Sequence, residues 1–239
     1  MTWLRMALAI VLAVPTIARA ASPGPATSVY NHACASCHGE NGRGDGPAAF
    51  SIGKYRSPRP RDFTRGRFKL RSTPSGALPT DDDLLRVVER GIPGYMPSFR
   101  GLTASERRLA ITAVRRFNAG FEAPRAEPIA IPAPPDLDSS AAERGREVYR
   151  AAGCPACHGD TGRGNGPSAA DLVDDDGLHI QPADLRLPAR FKNGAEPADV
   201  YRTLVTGLDG TPMPSYAGAF DDPAAIWDLV AYVRSLRRR

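Results

Sequence analysis

Cys34-Ala-Ser-Cys37-His38 and Cys154-Pro-Ala-Cys157-His158 decide the reading of this chain: two copies of one pattern, 120 residues apart, that together use all four cysteines. C-x-x-C-H is the attachment pattern of c-type haem. Two thiols one helical turn apart can each add to a vinyl group on one porphyrin edge, and the adjacent histidine turns its imidazole to the iron as proximal ligand. The pattern predicts two covalently bound haem c groups, attached through Cys34, Cys37, Cys154 and Cys157, with His38 and His158 on the iron. Other uses of the cysteines stay open at this level. A structural zinc site needs four converging N/S ligands, a thioredoxin-type pair needs a strand before it, and four cysteines in an exported chain admit three disulfide pairings. None of these explains the histidine that follows each pair.

Outward from the motifs the two halves keep repeating. Gly42-Arg43-Gly44-Asp45-Gly46-Pro47 is matched by Gly162-Arg163-Gly164-Asn165-Gly166-Pro167, and Arg67-Phe68-Lys69 by Arg190-Phe191-Lys192. The stretch from Gly91 to Phe99 answers that from Gly207 to Tyr216, and the order of blocks is the same in both halves. Two homologous domains of about 100 residues follow, a common domain size. The reading places them at 21–118 and 141–239, with a connector over 119–140 that carries prolines at 124, 128, 132, 134 and 135. Such composition favours an extended, semi-stiff link.

The second axial ligand separates electron transfer from chemistry at iron. Beyond the first 20 residues the chain has two methionines, Met96 and Met213, placed 58 and 55 residues after His38 and His158 in matching Met-Pro-Ser-aromatic loops. A thioether is a soft ligand that favours ferrous iron and fills the position a peroxide or oxygen would need. The expected iron ligands are therefore His38 with Met96 and His158 with Met213. His32 and His179 do not repeat between the halves and read as ordinary surface histidines.

Residues 1–20 read as a cleaved signal peptide: Arg5 supplies the positive start, Met6 to Val14 the apolar run, and Ala18-Arg19-Ala20 the cleavage site. The run is too short for a bilayer span, and no later segment is long and apolar enough for one. A soluble periplasmic protein is expected, an uncleaved anchor being the alternative. Losing Arg5 and Arg19 takes the net charge from +5 to +3, and no basic stripe with interleaved aromatics marks a nucleic-acid binder. The Arg237-Arg238-Arg239 tail suits either an acidic partner or a helix C-terminus.

Secondary structure reads as helix throughout. Thr80 with Asp83 opens one helix that Gly91 closes, and Thr103 with Glu106 forms a capping box before another that runs to about Phe117. Val200, Leu204 and Val205 mark a third, ended by Gly207. Pro223 starts a last one whose Ile226, Val230, Val233 and Leu236 share a face. No sustained alternation with a period of two argues for a strand. Such small domains hold little apolar mass of their own, so the porphyrin is expected to act as the largest hydrophobic group in each and the haem-free chain to fold poorly.

The paired C-x-x-C-H motifs, the downstream Met-Pro loops and the aromatic-bearing terminal helix (Trp227, Tyr232) resemble the diheme members of the class I c-type cytochrome family, over nearly the whole mature chain. The resemblance implies an all-α fold of two tandem class I cytochrome c domains joined by a Pro-rich linker. It places Tyr30 and Tyr149 on the helices leading into the motifs. It implies a backbone carbonyl behind each proximal imidazole, for which Pro47 and Pro167 are the candidates. This chain departs from the pattern in its short first helix, in the lack of a glycine counterpart to Gly145 in the first half, and in an acidic insertion, Asp171 to Gln181, that reads as solvated or partner-facing. Arg61, Arg71 and Arg186 lie near loops that should border the haem edges and read as solvated arginines, pairing with haem propionates being the alternative.

The implied function is single-electron transfer between redox partners of the periplasm or membrane. Rival readings are an electron-transfer subunit docked to a larger dehydrogenase or reductase, and a diheme enzyme such as a thiosulfate dehydrogenase or peroxidase. An enzyme needs an open iron site or an unusual ligand, and here each haem has a methionine.

Overall fold

The computed structural model describes residues 24–53, 59–222 and 224–237. The stretch expected to be a signal peptide, with Pro223, Arg238 and Arg239, lies outside the described residues. Those described form nine α-helices and no strand, with two isolated bridges, Ile92 to Met96 and Val173 to His179.

Domain one contains α1 (Pro25–Ala33), α2 (Ala35–His38), α3 (Pro47–Gly53), α4 (Asp81–Arg90) and α5 (Ala104–Arg116). Domain two contains α6 (Ser139–Ala151), α7 (Pro155–His158), α8 (Pro197–Thr206) and α9 (Ala224–Ser235). In each, the first helix crosses the last and the penultimate helix packs on the last: α1 and α4 on α5, α6 and α8 on α9. Local chemistry sets the boundaries. Thr80 and Thr103 cap α4 and α5 through complete capping boxes with Asp83 and Glu106, Asp138 caps α6, and Gly91 and Gly207 end α4 and α8.

Each domain has its own apolar core. Tyr30, Phe63, Phe68, Ile111 and Val114 centre the first, and Tyr149, Leu204, Trp227, Leu229 and Val230 the second. The crossing of α6 and α9 is close because Gly145 faces it: an added Cβ would lie 1.9 Å from the Asp228 carbonyl oxygen. Domain one does have a small counterpart. Ala26 precedes Tyr30 by the four residues that separate Gly145 from Tyr149, and it is buried in the core where α1 meets α5.

The connector is shorter and busier than its composition suggests. Residues 119–122 form a 3-10 turn whose Phe121, 2 % exposed, belongs to the first core, and α6 already starts at Ser139. Between them the chain is extended yet tethered on both sides. The Ile129 amide donates to the Ser72 carbonyl of domain one (2.8 Å), while Ile129, Ile131 and Leu137 pack on the core of domain two.

The domains meet along a charged seam. Arg71, fully buried at 0 % exposure, donates to the carbonyls of Phe68 and Pro74 in its own domain, and to the Thr206 carbonyl and Asp209 carboxylate of the other. All its nitrogens are occupied by protein, so it is a bridge between domains rather than a residue at a haem edge. The acidic insertion is drawn in as well: Arg65 pairs with Asp176 and Arg67 with Asp175, so that loop faces domain one instead of open solvent.

Candidate functional site

Each C-x-x-C-H motif makes a short helix, α2 or α7, directly after the leading helix of its domain. A buried tyrosine joins the two: Tyr30 Oη donates to the Gly39 carbonyl (2.7 Å), and Tyr149 Oη to the Gly159 carbonyl (2.6 Å). Both acceptors belong to the residue after the motif histidine, so the phenol fixes the turn on which the imidazole stands.

The matched Gly-rich loops bring in the partner of that imidazole. Gly44 and Gly164 have φ of 72°, and an added Cβ would lie 2.4 Å from the Pro60 oxygen and 2.6 Å from the Pro182 oxygen, so only glycine lets these segments come so close. Phe63 N bonds to the Gly42 carbonyl and Leu185 N to the Gly162 carbonyl, each at 2.7 Å. The approach delivers the carbonyls of Arg61 and Ala183, each 3.1 Å from the Nδ1 of His38 and His158. These, not Pro47 and Pro167, are the acceptors. With Nδ1–H donated to a carbonyl, Nε2 keeps its lone pair for a metal and the ring orientation is set. Burial lowers the pKa of both histidines, which favours the neutral, ligating form.

Domain two holds a cavity of about 760 Å³ whose wall includes Cys154, Cys157, His158 and Met213, with apolar surface from Leu185 and Phe191. Tyr95 of domain one reaches the same cavity. The loop carrying Met213 is held by Leu208 N bonding to the Met213 carbonyl (3.1 Å), and the loop carrying Met96 by a reciprocal pair between Ile92 and Met96 (2.8 and 2.9 Å). In domain one His38 stacks on Phe63, with centroids 4.5 Å apart, and Met96 is half-buried in its loop. The structure thus brings the His–Met pair into the lining of one cavity in domain two, and in domain one supplies the two frames separately.

The residues present fit haem c. Each motif offers two unpaired thiols and a neutral imidazole with one nitrogen committed, and in domain two they face a large, mostly apolar space. Burial raises the Cys34 thiol to about 11 and pushes Cys154 up as well, so these sulfurs are uncharged at neutral pH. The alternatives fare worse. The four cysteines form no disulfide, and among the described residues no cluster of three or more His, Cys, Asp or Glu side chains is arranged to hold a bare metal ion. His32 and His179 are exposed, and Arg186 is engaged by the neighbouring Asp184.

Comparison with known proteins agrees with this anatomy. Residues 142–237 match the family described as cytochrome c, and residues 21–113 match that described as cytochrome C oxidase, cbb3-type, subunit III. Among solved structures, a chain of the Kuenenia stuttgartiensis reducing HAO-like protein complex is 38% identical, with a TM-score of 0.84, over 90% of this chain and 97% of that one. No curated protein matches the chain.

Proposed function

Because the chain belongs to the class I c-type cytochrome family, as a member with two cytochrome c domains in tandem, we propose that it is a periplasmic carrier passing single electrons through two covalently attached haems. Haem c, when bound, supplies an iron that cycles between ferric and ferrous states. The residues of this chain hold and orient it. Cys34 with Cys37 and Cys154 with Cys157 would anchor the porphyrins, and His38 with Met96 and His158 with Met213 would ligate the irons.

The observation that carries this reading is the cavity that Cys154, Cys157, His158 and Met213 line together. A methionine ligand would exclude small oxidants from the iron and favour electron transfer over catalysis there. Export is supported by the sequence of residues 1–20, and among the described residues no helix is long and apolar enough to cross a membrane. The test is the optical spectrum of the dithionite-reduced protein with and without carbon monoxide. Two closed irons leave the spectrum unchanged. A shift at either haem identifies an exchangeable site and turns the reading toward an enzyme.

A second reading has its own support. The similar Kuenenia stuttgartiensis chain is part of a complex, which favours a role here as an electron-transfer subunit of a larger oxidoreductase. Native-mass analysis of material isolated without overexpression separates the two: a free carrier runs at the mass of the chain with its haems, and a subunit runs with its partner.

A further inference from the structure

The seam between the domains gathers two lysines that make no direct ion pair with the described residues. Arg67-Phe68-Lys69 and Arg190-Phe191-Lys192 are the same stretch of the repeat, and in both the phenylalanine is taken by its own domain's core. The lysine that follows is thereby turned to the seam, and Lys69 of one half comes close enough to Lys192 of the other for their charges to repel. Both are half-buried. Arg61 adds a third cation to the group.

The neighbouring acids attract these cations from a distance while holding closer partners of their own. Asp174 accepts the amides of Asp176 and Leu178, both at 3.0 Å, and Asp175 is held by Arg67. Neither lysine forms a hydrogen bond or ion pair with the described residues; the Lys192 ammonium stands over the Tyr95 ring, 4.9 Å from Nζ to centroid. Burial and the facing cation bring Lys69 down to about 7, and burial lowers Lys192 too. Asp174 attracts both lysines and Asp175 attracts Lys69, yet burial outweighs that attraction. Partly desolvated cations are costly, and an anion seated directly against them relieves the cost.

Lys192 and Tyr95 both line the cavity that holds Cys154, Cys157, His158 and Met213. The porphyrin assigned to that cavity carries two carboxylates, and Lys69 holds the matching position in the first half of the repeat. We propose that Lys69 and Lys192 form one carboxylate-binding site shared between the domains, which receives the propionates of both haems and ties them into a single electrostatic unit. The inference rests on the two-haem reading above.

A redox titration of the exported, haem-bearing protein tests it, with Lys69→Gln and Lys192→Gln beside wild type and haem counted first by the pyridine haemochrome spectrum. Removing a cation near a haem destabilises the reduced, more negative state, so its midpoint potential falls. Either substitution is expected to lower both midpoints, and Lys69→Arg to restore them. Lys69→Met, of similar length but apolar, gives the same reading if the glutamine form matures poorly. Two haems per chain with unmoved midpoints, or a shift confined to one haem, would overturn the shared site and leave the carrier reading intact. Fewer than two haems in the wild-type protein would overturn both.

Discussion

Arg71 of domain one donates to the Asp209 carboxylate of domain two at 2.7 Å, and the same carboxylate accepts Ser75 Oγ (2.8 Å) and the Gly76 amide (2.9 Å). Asp209 stands four residues before Met213, in the loop where domain one has Pro93. A turn of domain one therefore holds the loop that presents the proposed ligand in domain two. Truncating one member of a buried ion pair costs about 3 kcal/mol or more, because the other is left unpaired. Arg71→Ala is expected to lose about that much in guanidinium unfolding. Its ferric spectrum should also weaken in the methionine–iron charge-transfer band of one haem. A variant as stable as wild type would show that the bridge contributes nothing.

Gly145→Ala tests the helix crossing. The new methyl would meet the Asp228 carbonyl, so α6 and α9 must separate and strain the bidentate Arg144–Asp228 pair beside the contact (2.9 and 2.7 Å). Overpacking of this kind costs about 1–3 kcal/mol. Thermal unfolding reads it, and an unchanged melting temperature would mean that the crossing is looser than drawn. Ala26→Gly in domain one is expected to lose about 1 kcal/mol or less, since it relieves no clash and adds backbone freedom.

The phenols of Tyr30 and Tyr149 give a pH signature. Burial pushes both pKa values well above the ordinary tyrosine value, so the folded chain keeps their protons at a pH where the unfolded chain releases them. Their contribution is intact below about pH 10, the unfolded value, and is lost as pH rises from there through the folded values. Tyr30→Phe should cost about 1–2 kcal/mol at neutral pH, from the unpaired Gly39 carbonyl. It should also flatten the alkaline loss of stability measured by denaturant melts at rising pH. Equal slopes in wild type and variant would remove the tyrosine from this account.

Haem removal should unfold more than the attachment turn. Leu204, Leu229 and Val233 border the 760 Å³ cavity, so a chain without the porphyrin exposes core side chains to water. Cys154→Ala with Cys157→Ala is expected to lose helical circular dichroism across domain two. Native helix content in that variant would show that α6, α8 and α9 suffice as a core.

The helices were legible because their signals are local. Thr80–Asp83, Thr103–Glu106, Gly91 and Gly207 act within a few residues and sit in the structure where the sequence places them. The imidazole acceptors were harder to find, because a backbone carbonyl carries no side-chain identity and Arg61 and Ala183 have nothing chemical in common. A fainter signal was present in the recurrence of Pro-x-Asp at 60–62 and 182–184. The role of Arg71 could not be read locally, since its partners Thr206 and Asp209 lie more than 130 residues away. The acidic insertion looked solvated for the same reason: Arg65 and Arg67, which meet it, belong to the other domain.

The connector threads between two loyalties, its Ile129 amide on domain one and its Ile129, Ile131 and Leu137 side chains on domain two. A protease that nicks the chain at Glu127, in the exposed stretch before these anchors, would cut the polypeptide without releasing either half. The fragments should travel together until acid or denaturant parts them, so that covalent continuity and physical unity are separate properties of this molecule.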